Sequence, residues 1–141
     1  MTTSIKATAR RTAANAFSHQ IKIGRHEVTI DEPTDQGGDD EGPTPQQLLA
    51  ASIASCTAVT IEMYAKRKGW DLGQVEVQCE YKRAERGDPT KFKLAIRLPA
   101  RLSEEQVERL KVIAAKCPVH RTLEGEVMFE ERIELIAPAA A

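Results

Sequence analysis

Residues 44–69 read TPQQLLAASIASCTAVTIEMYAKRKG, and the architecture can be built outward from them. Thr44 suits an N-cap. Pro45 suits the first helical position, and Gln47, three residues after the cap, completes a capping box. Leu48, Leu49, Ser52, Ile53, Cys56, Val59, Thr60, Met63 and Tyr64 then recur at helical spacing. Lys66, Arg67 and Lys68 complement the negative end of a helix dipole, and Gly69 suits the residue just past it. The spacing predicts a helix over 45–68 with Cys56 on its buried stripe. Ala50, Ala51, Ala54, Ser55 and Ala58 surround that cysteine, and such small side chains let a second helix come close.

Upstream, residues 4–11, 16–23 and 26–31 read as three short strands, with a turn at Gly24-Arg25. Residues 31–45 hold Pro33, Gly37, Gly38, Gly42, Pro43 and Pro45 together with Asp31, Glu32, Asp35, Asp39, Asp40 and Glu41. This is a loop, free to move. Its acids fit no calcium-loop spacing and read as solvated charge. Downstream, residues 75–83 read as a strand with Val75, Val77, Cys79 and Tyr81 on one face, so Cys79 is assigned to the core. Gly87 and Pro89 mark a hairpin turn, and Phe92, Leu94, Ile96 and Leu98 alternate along a return strand over 91–98. Ser103 and Gln106 form a second capping box ahead of a stripe of Val107, Leu110, Ile113 and Ala114. Pro118 ends that helix and opens a short one through Leu123, with Cys117 at its N-cap. Residues 125–136 close the chain as a strand, and the tail at 138–141 is expected to fray. The order β-β-β-α-β-β-α-α-β gives an α+β class with antiparallel sheet, as one domain over 1–141.

Lys and Arg total 20 against 21 Asp and Glu, a net charge of −1, which leaves no positive surplus for neutralising phosphates, so no nucleic-acid partner is expected. No uninterrupted run of about 18 apolar residues appears, so neither a membrane-spanning helix nor a membrane partner is expected. The first 16 residues lack an apolar centre, so no secretory signal is expected and a cytoplasmic location is. Aromatic residues make up only 4% of the chain. A core of small aliphatic residues is thin at this length, so burial against a second subunit is expected.

Three cysteines, an odd number, argue against a disulfide framework. Each could be a small buried hydrophobe or a reactive thiol. Cys117 has the better local case, because a helix N-terminus favours a thiolate and His120 and Arg121 follow at i+3 and i+4. Cys117 and His120 alone do not make a zinc site, and no metal is expected. Cys56, in the middle of an apolar helix, needs hydrogen bonds from Thr57 or Thr60, or a cation from elsewhere, to become reactive.

The segment from Gly37 through Cys56 to Thr57, with GPTPQQLLAASIASCT at its centre, resembles the first signature of the OsmC/Ohr family. The segment from Lys116 to Glu126, KCPVHRTLEGE, resembles its second cysteine motif. Arg67-Lys68-Gly69-Trp70 and the strand after it match the OsmC-like branch, and the likeness spans about residues 4–136. It implies antiparallel sheets wrapped around two central helices in an intertwined homodimer, with the site at the interface. It implies Cys56 as the thiolate that attacks an organic hydroperoxide or hydrogen peroxide, and Cys117 as the resolving thiol that condenses with the sulfenic acid. A dithiol reductant then regenerates the pair, and no cofactor is needed.

One departure bears on activity. Family peroxidases place a glutamate near the start of the cysteine helix, paired with an arginine that supports the thiolate. Here Gln46 and Gln47 occupy that stretch, and Arg10, Arg11 and Arg25 are the candidate cations. A glutamine cannot hold an arginine by charge. Weaker or differently tuned peroxidase activity is therefore expected. The alternatives are a redox sensor or thiol–disulfide exchange protein with weak turnover, and a non-enzymatic dimer that binds an apolar molecule.

Overall fold

The computed structural model describes residues 3–12 and 14–138. Three strands, β1 (Thr8–Arg11), β2 (His19–Ile23) and β3 (His26–Ile30), form an antiparallel sheet in the order β1-β2-β3. The N-terminal strand is shorter than its sequence suggests, because pairing with β2 runs only from Thr8↔Lys22 to Arg11↔His19. The helix α1 (Pro45–Lys68) follows, then the hairpin β4 (Glu76–Tyr81) and β5 (Phe92–Arg97), and finally α2 (Glu104–Ala114) and α3 (Pro118–Glu124).

The acidic segment between β3 and α1 is folded. Asp31 is fully buried and accepts the backbone N–H groups of Glu32 (2.8 Å), Asp39 (3.1 Å) and Glu41 (3.3 Å). Burial alone would raise its carboxyl pKa, but these bonds outweigh burial and hold it below the ordinary value. The chain passes so closely over itself here that a Cβ at Gly38 would lie 1.9 Å from the Glu32 carbonyl oxygen. A loop that reads as solvated charge is thus wound around one carboxylate.

Both capping boxes form. Thr44 Oγ1 accepts from Gln47 N–H (3.1 Å) while Gln47 Oε1 accepts from Thr44 N–H (2.9 Å), and Ser103 and Gln106 repeat the pattern. Gly69 ends α1 in the left-handed conformation. The core gathers Ile61, Tyr64, Ala65, Leu72, Leu110, Ile113 and Ala114, with Trp70, Val75, Ile96 and Leu98 packed on it. Arg109 Nε donates to Tyr64 Oη (2.8 Å) and ties α2 to α1.

The structure corrects four expectations. Within the protomer α1 buries Ile53, Thr57, Ile61, Tyr64 and Ala65, whereas Leu49, Val59 and Met63 are exposed and Cys56 is half-buried. The helix has apolar residues on two faces and only one meets this chain's core. By length and composition alone it is apolar enough to cross a membrane, although serines and threonines interrupt every continuous run. Cys79 is half-buried, since one face of the two-stranded sheet is only partly covered. Residues 125–138 form no strand. They run as an exposed coil that pairs with no strand of the protomer, and an unpaired segment gains none of the ladder bonds that would make it a strand. The frayed end expected at 139–141 lies outside the described residues.

Candidate functional site

Helix α1 crosses α2 and α3, and this crossing puts two thiols together that stand 61 positions apart. Cys56 sits on α1 and Cys117 at the N-cap of α3, and the two thiols lie close enough that each shifts the other's pKa. Neither is in a disulfide. Cys117 is fully buried, whereas Cys56 is half-buried, so a molecule from solvent reaches Cys56 first.

Local sequence explains why α3 begins at Cys117. Pro118 cannot continue α2, but its fixed φ suits the first position of a new helix. The first amides of α3 are free of intrahelical partners, and they point at the sulfurs. His120 N–H donates to Cys117 Sγ at 3.4 Å, and Val119 N–H acts on both thiols. Hydroxyls from α1 add support, with Thr60 acting on Cys56 and Thr57 on Cys117. The Thr57 hydroxyl also reaches the Ile53 carbonyl (2.8 Å), so its single proton serves one or the other.

The two thiols respond in opposite directions. Burial, then the hydrogen bond with Cys117, pushes the Cys56 thiol up, and the Val119 amide and Thr60 only partly oppose this. Burial pushes Cys117 up as well, but hydrogen bonds from Cys56, the His120 amide, Thr57 and the Val119 amide outweigh it and leave the thiol lowered. The two thiols titrate as a coupled pair in which negative charge is favoured on Cys117 over Cys56. No cation stands among the main groups acting on Cys56.

The other sequence candidates lie elsewhere. Gln47 is occupied by the α1 capping box, and Gln46 lends its carbonyl to Tyr81 Oη (3.1 Å). Both are about 14–15 Å down the helix axis from Cys56, and both line a groove with Cys79. Arg10 lies on β1, which also carries Arg11, and Arg11 donates to the carbonyls of Ala14 and Ala16. Arg25 is exposed at the β2–β3 turn. Sequence reasoning missed two participants. The Val119 amide leaves no sequence signal, whereas Glu124, which meets His120 Nε2 at 2.6 Å, is readable as an i+4 partner.

A groove of about 570 Å³ begins one helical turn along α1 from Cys56, at Thr60, and next to Cys117 in sequence, at Lys116 and Pro118, with neither thiol in its lining. Its lining is mainly apolar and includes Thr60, Met63, Ile113 and Pro118, with Lys66, Arg67, Lys116 and Arg121 around it. A larger groove, about 820 Å³, lies around Tyr64, Trp70 and Arg109 and contains neither thiol. Among the described residues no cluster of His, Cys, Asp and Glu suits a metal ion.

The family model described as OsmC-like protein matches residues 37–132, which include both thiols. Solved structures share the fold. An OsmC-like protein from Mycoplasma pneumoniae superposes with a TM-score of 0.72 at 19% identity, covering 89% of this chain and 90% of that one. An organic hydroperoxide resistance protein OsmC from Legionella pneumophila gives 0.63 at 22%, covering 87% and 90%. The organic hydroperoxide resistance protein OhrB of Bacillus subtilis gives 0.59 at 24%, covering 87% and 92%.

Proposed function

The chain belongs to the OsmC-like protein family, and from that premise we propose that Cys56 and Cys117 form a two-cysteine peroxidase acting on organic hydroperoxides. Cys56 is the thiol a substrate can reach, and the apolar groove beside it accommodates a hydrocarbon tail. Its thiolate forms when the proton shared by the pair moves onto Cys117. The thiolate sulfur attacks the terminal peroxide oxygen, the O–O bond breaks, and the alkoxide leaves and takes a proton from solvent. Cys56 is then a sulfenic acid. Cys117 displaces the hydroxyl as water and an S–S bond forms. A dithiol returns both thiols by two exchange steps and is itself oxidised to a disulfide.

The carrying observation is the juxtaposition of two free thiols that perturb one another's ionisation, one accessible and one buried. The test is consumption of cumene hydroperoxide by the reduced protein with a dithiol present. Many equivalents consumed per protein, abolished in Cys56→Ser, supports the peroxidase. In Cys117→Ser the sulfenic acid accumulates and is trapped by dimedone. A second reading, a redox sensor or exchange protein, draws on the upward push on Cys56 and on the fact that no cation is among the main groups setting its pKa. A sensor consumes one equivalent and stops.

The proposal includes a homodimer. The β1–β3 sheet packs little on α1, while Leu49, Val59 and Met63 line an open face of that helix. A second copy of the chain supplies the covering surface.

A further inference from the structure

We propose that His120 is the base for the resolving step, taking the proton of Cys117 as its sulfur attacks Cys56 and passing it to the departing oxygen. The inference rests on the two-cysteine reading above. Cys117, His120 and Glu124 fall on one face of α3, at i, i+3 and i+7. The His120 amide touches the Cys117 sulfur (3.4 Å), and the ring of the same residue is fixed at its far nitrogen, where Nε2 meets Glu124 Oε1 at 2.6 Å. The other ring nitrogen, Nδ1, is buried and has no hydrogen-bond partner. A carboxylate only accepts, so Glu124 takes the Nε2 hydrogen and leaves Nδ1 with a bare lone pair. A buried N–H without an acceptor would cost more than that lone pair, so the orphan nitrogen fits a resident acceptor. In the reduced protein Nδ1 makes no hydrogen bond to the Cys117 sulfur, so the ring stands ready beside the thiol and engages it only when Cys56 has been oxidised.

The chemistry requires such a group. Cys117 is fully buried, so hydroxide from solvent has no direct route to its proton. In the reduced protein the neighbouring Cys56 favours its thiolate, and oxidation of Cys56 removes that S–H. In the step itself the S–H bond of Cys117 and the S–O bond of Cys56 break, while an S–S bond and an O–H bond of water form. His120 carries the proton between them and ends as it began. Glu124 acts through the ring and is a positioning residue.

The experiment mixes reduced protein with one equivalent of cumene hydroperoxide, quenches over time, and measures sulfenic acid and disulfide by mass spectrometry. In His120→Gln the sulfenic acid on Cys56 should persist and disulfide formation should slow about 10²–10⁴-fold. In His120→Ala, added imidazole should restore the rate in proportion to its concentration, and Glu124→Gln should fall between wild type and His120→Gln. Disulfide formation as fast in His120→Gln as in wild type overturns the proposal, and so does a slow step that imidazole leaves slow. If the wild type forms no sulfenic acid, the two-cysteine reading fails and this inference with it. Fast resolution in His120→Gln refutes the base alone.

Discussion

A mid-helix thiol has no free amide of its own to stabilise negative charge, and Cys56 depends on what α3 and Thr60 present to it. Its pKa is pushed up, so its thiolate grows as pH rises past the ordinary cysteine value of about 8.5. Alkylation of Cys56 by iodoacetamide should therefore still be accelerating above that pH, and a plateau near pH 7 would sink this account. Asp31 shifts the other way. Its folded-state pKa is depressed, so the stability it contributes is complete above the unfolded value, near 3.9, and is lost as pH falls through the folded value. Asp31→Asn should lower the urea midpoint at pH 7 and flatten its dependence on pH below about 4. Equal slopes for the two proteins in that range would show that the carboxylate does not organise the loop.

At the scale of elements, the helix starts carry the clearest prediction. Thr44→Ala removes the hydroxyl that accepts the Gln47 amide and should cost about 1 kcal/mol. Gln47→Glu keeps the capping geometry and puts negative charge at the positive end of the helix, so it should gain about 0.3–1 kcal/mol. Denaturant titration of both variants checks the pair, and destabilisation by Gln47→Glu would mean that position 47 has another task. These helix starts were legible in the sequence because a cap is local chemistry: Thr44, Ser103 and Cys117 each act within three residues. The hairpin was legible for the same reason, since Val77, Cys79 and Tyr81 alternate opposite Ile96, Leu94 and Phe92. The buried face of α1 was harder to read. Ile53, Thr57 and Ile61 share a period with Leu49, Val59 and Met63, and spacing alone does not say which stripe meets the core. Nor did Asp31 differ in sequence from its solvated neighbours, because its role is set by amides that fold back over it. The sequence placed each thiol on its helix, but their meeting is a tertiary event with no local signature.

At the scale of the molecule, residues 125–136 are the part that the protomer leaves unfinished. Val127, Met128, Phe129, Ile133, Leu135 and Ile136 are all exposed, Phe129 at 83% and Leu135 at 95%. Burying a side chain of this size is worth about 1.5–3 kcal/mol, so a soluble chain that left all six in water would forgo much of its available stability. The segment has strand-forming residues but pairs with no strand of the protomer, while the two-stranded sheet β4-β5 and the three-stranded sheet β1-β2-β3 both end in open edges. In the proposed homodimer a second copy would supply a matching edge at no cost in new sequence, and the same contact would cover the open face of α1. Sedimentation equilibrium should therefore find a dimer at micromolar concentration. A chain ending at Gly125 should dissociate at concentrations at least about 100-fold higher than the full chain, because losing even two such side chains from the interface removes about 3 kcal/mol. Its thermal midpoint should also fall and depend more steeply on concentration. A full-length chain that sediments as a monomer would leave the exposed segment unexplained and remove the second subunit from the proposed site.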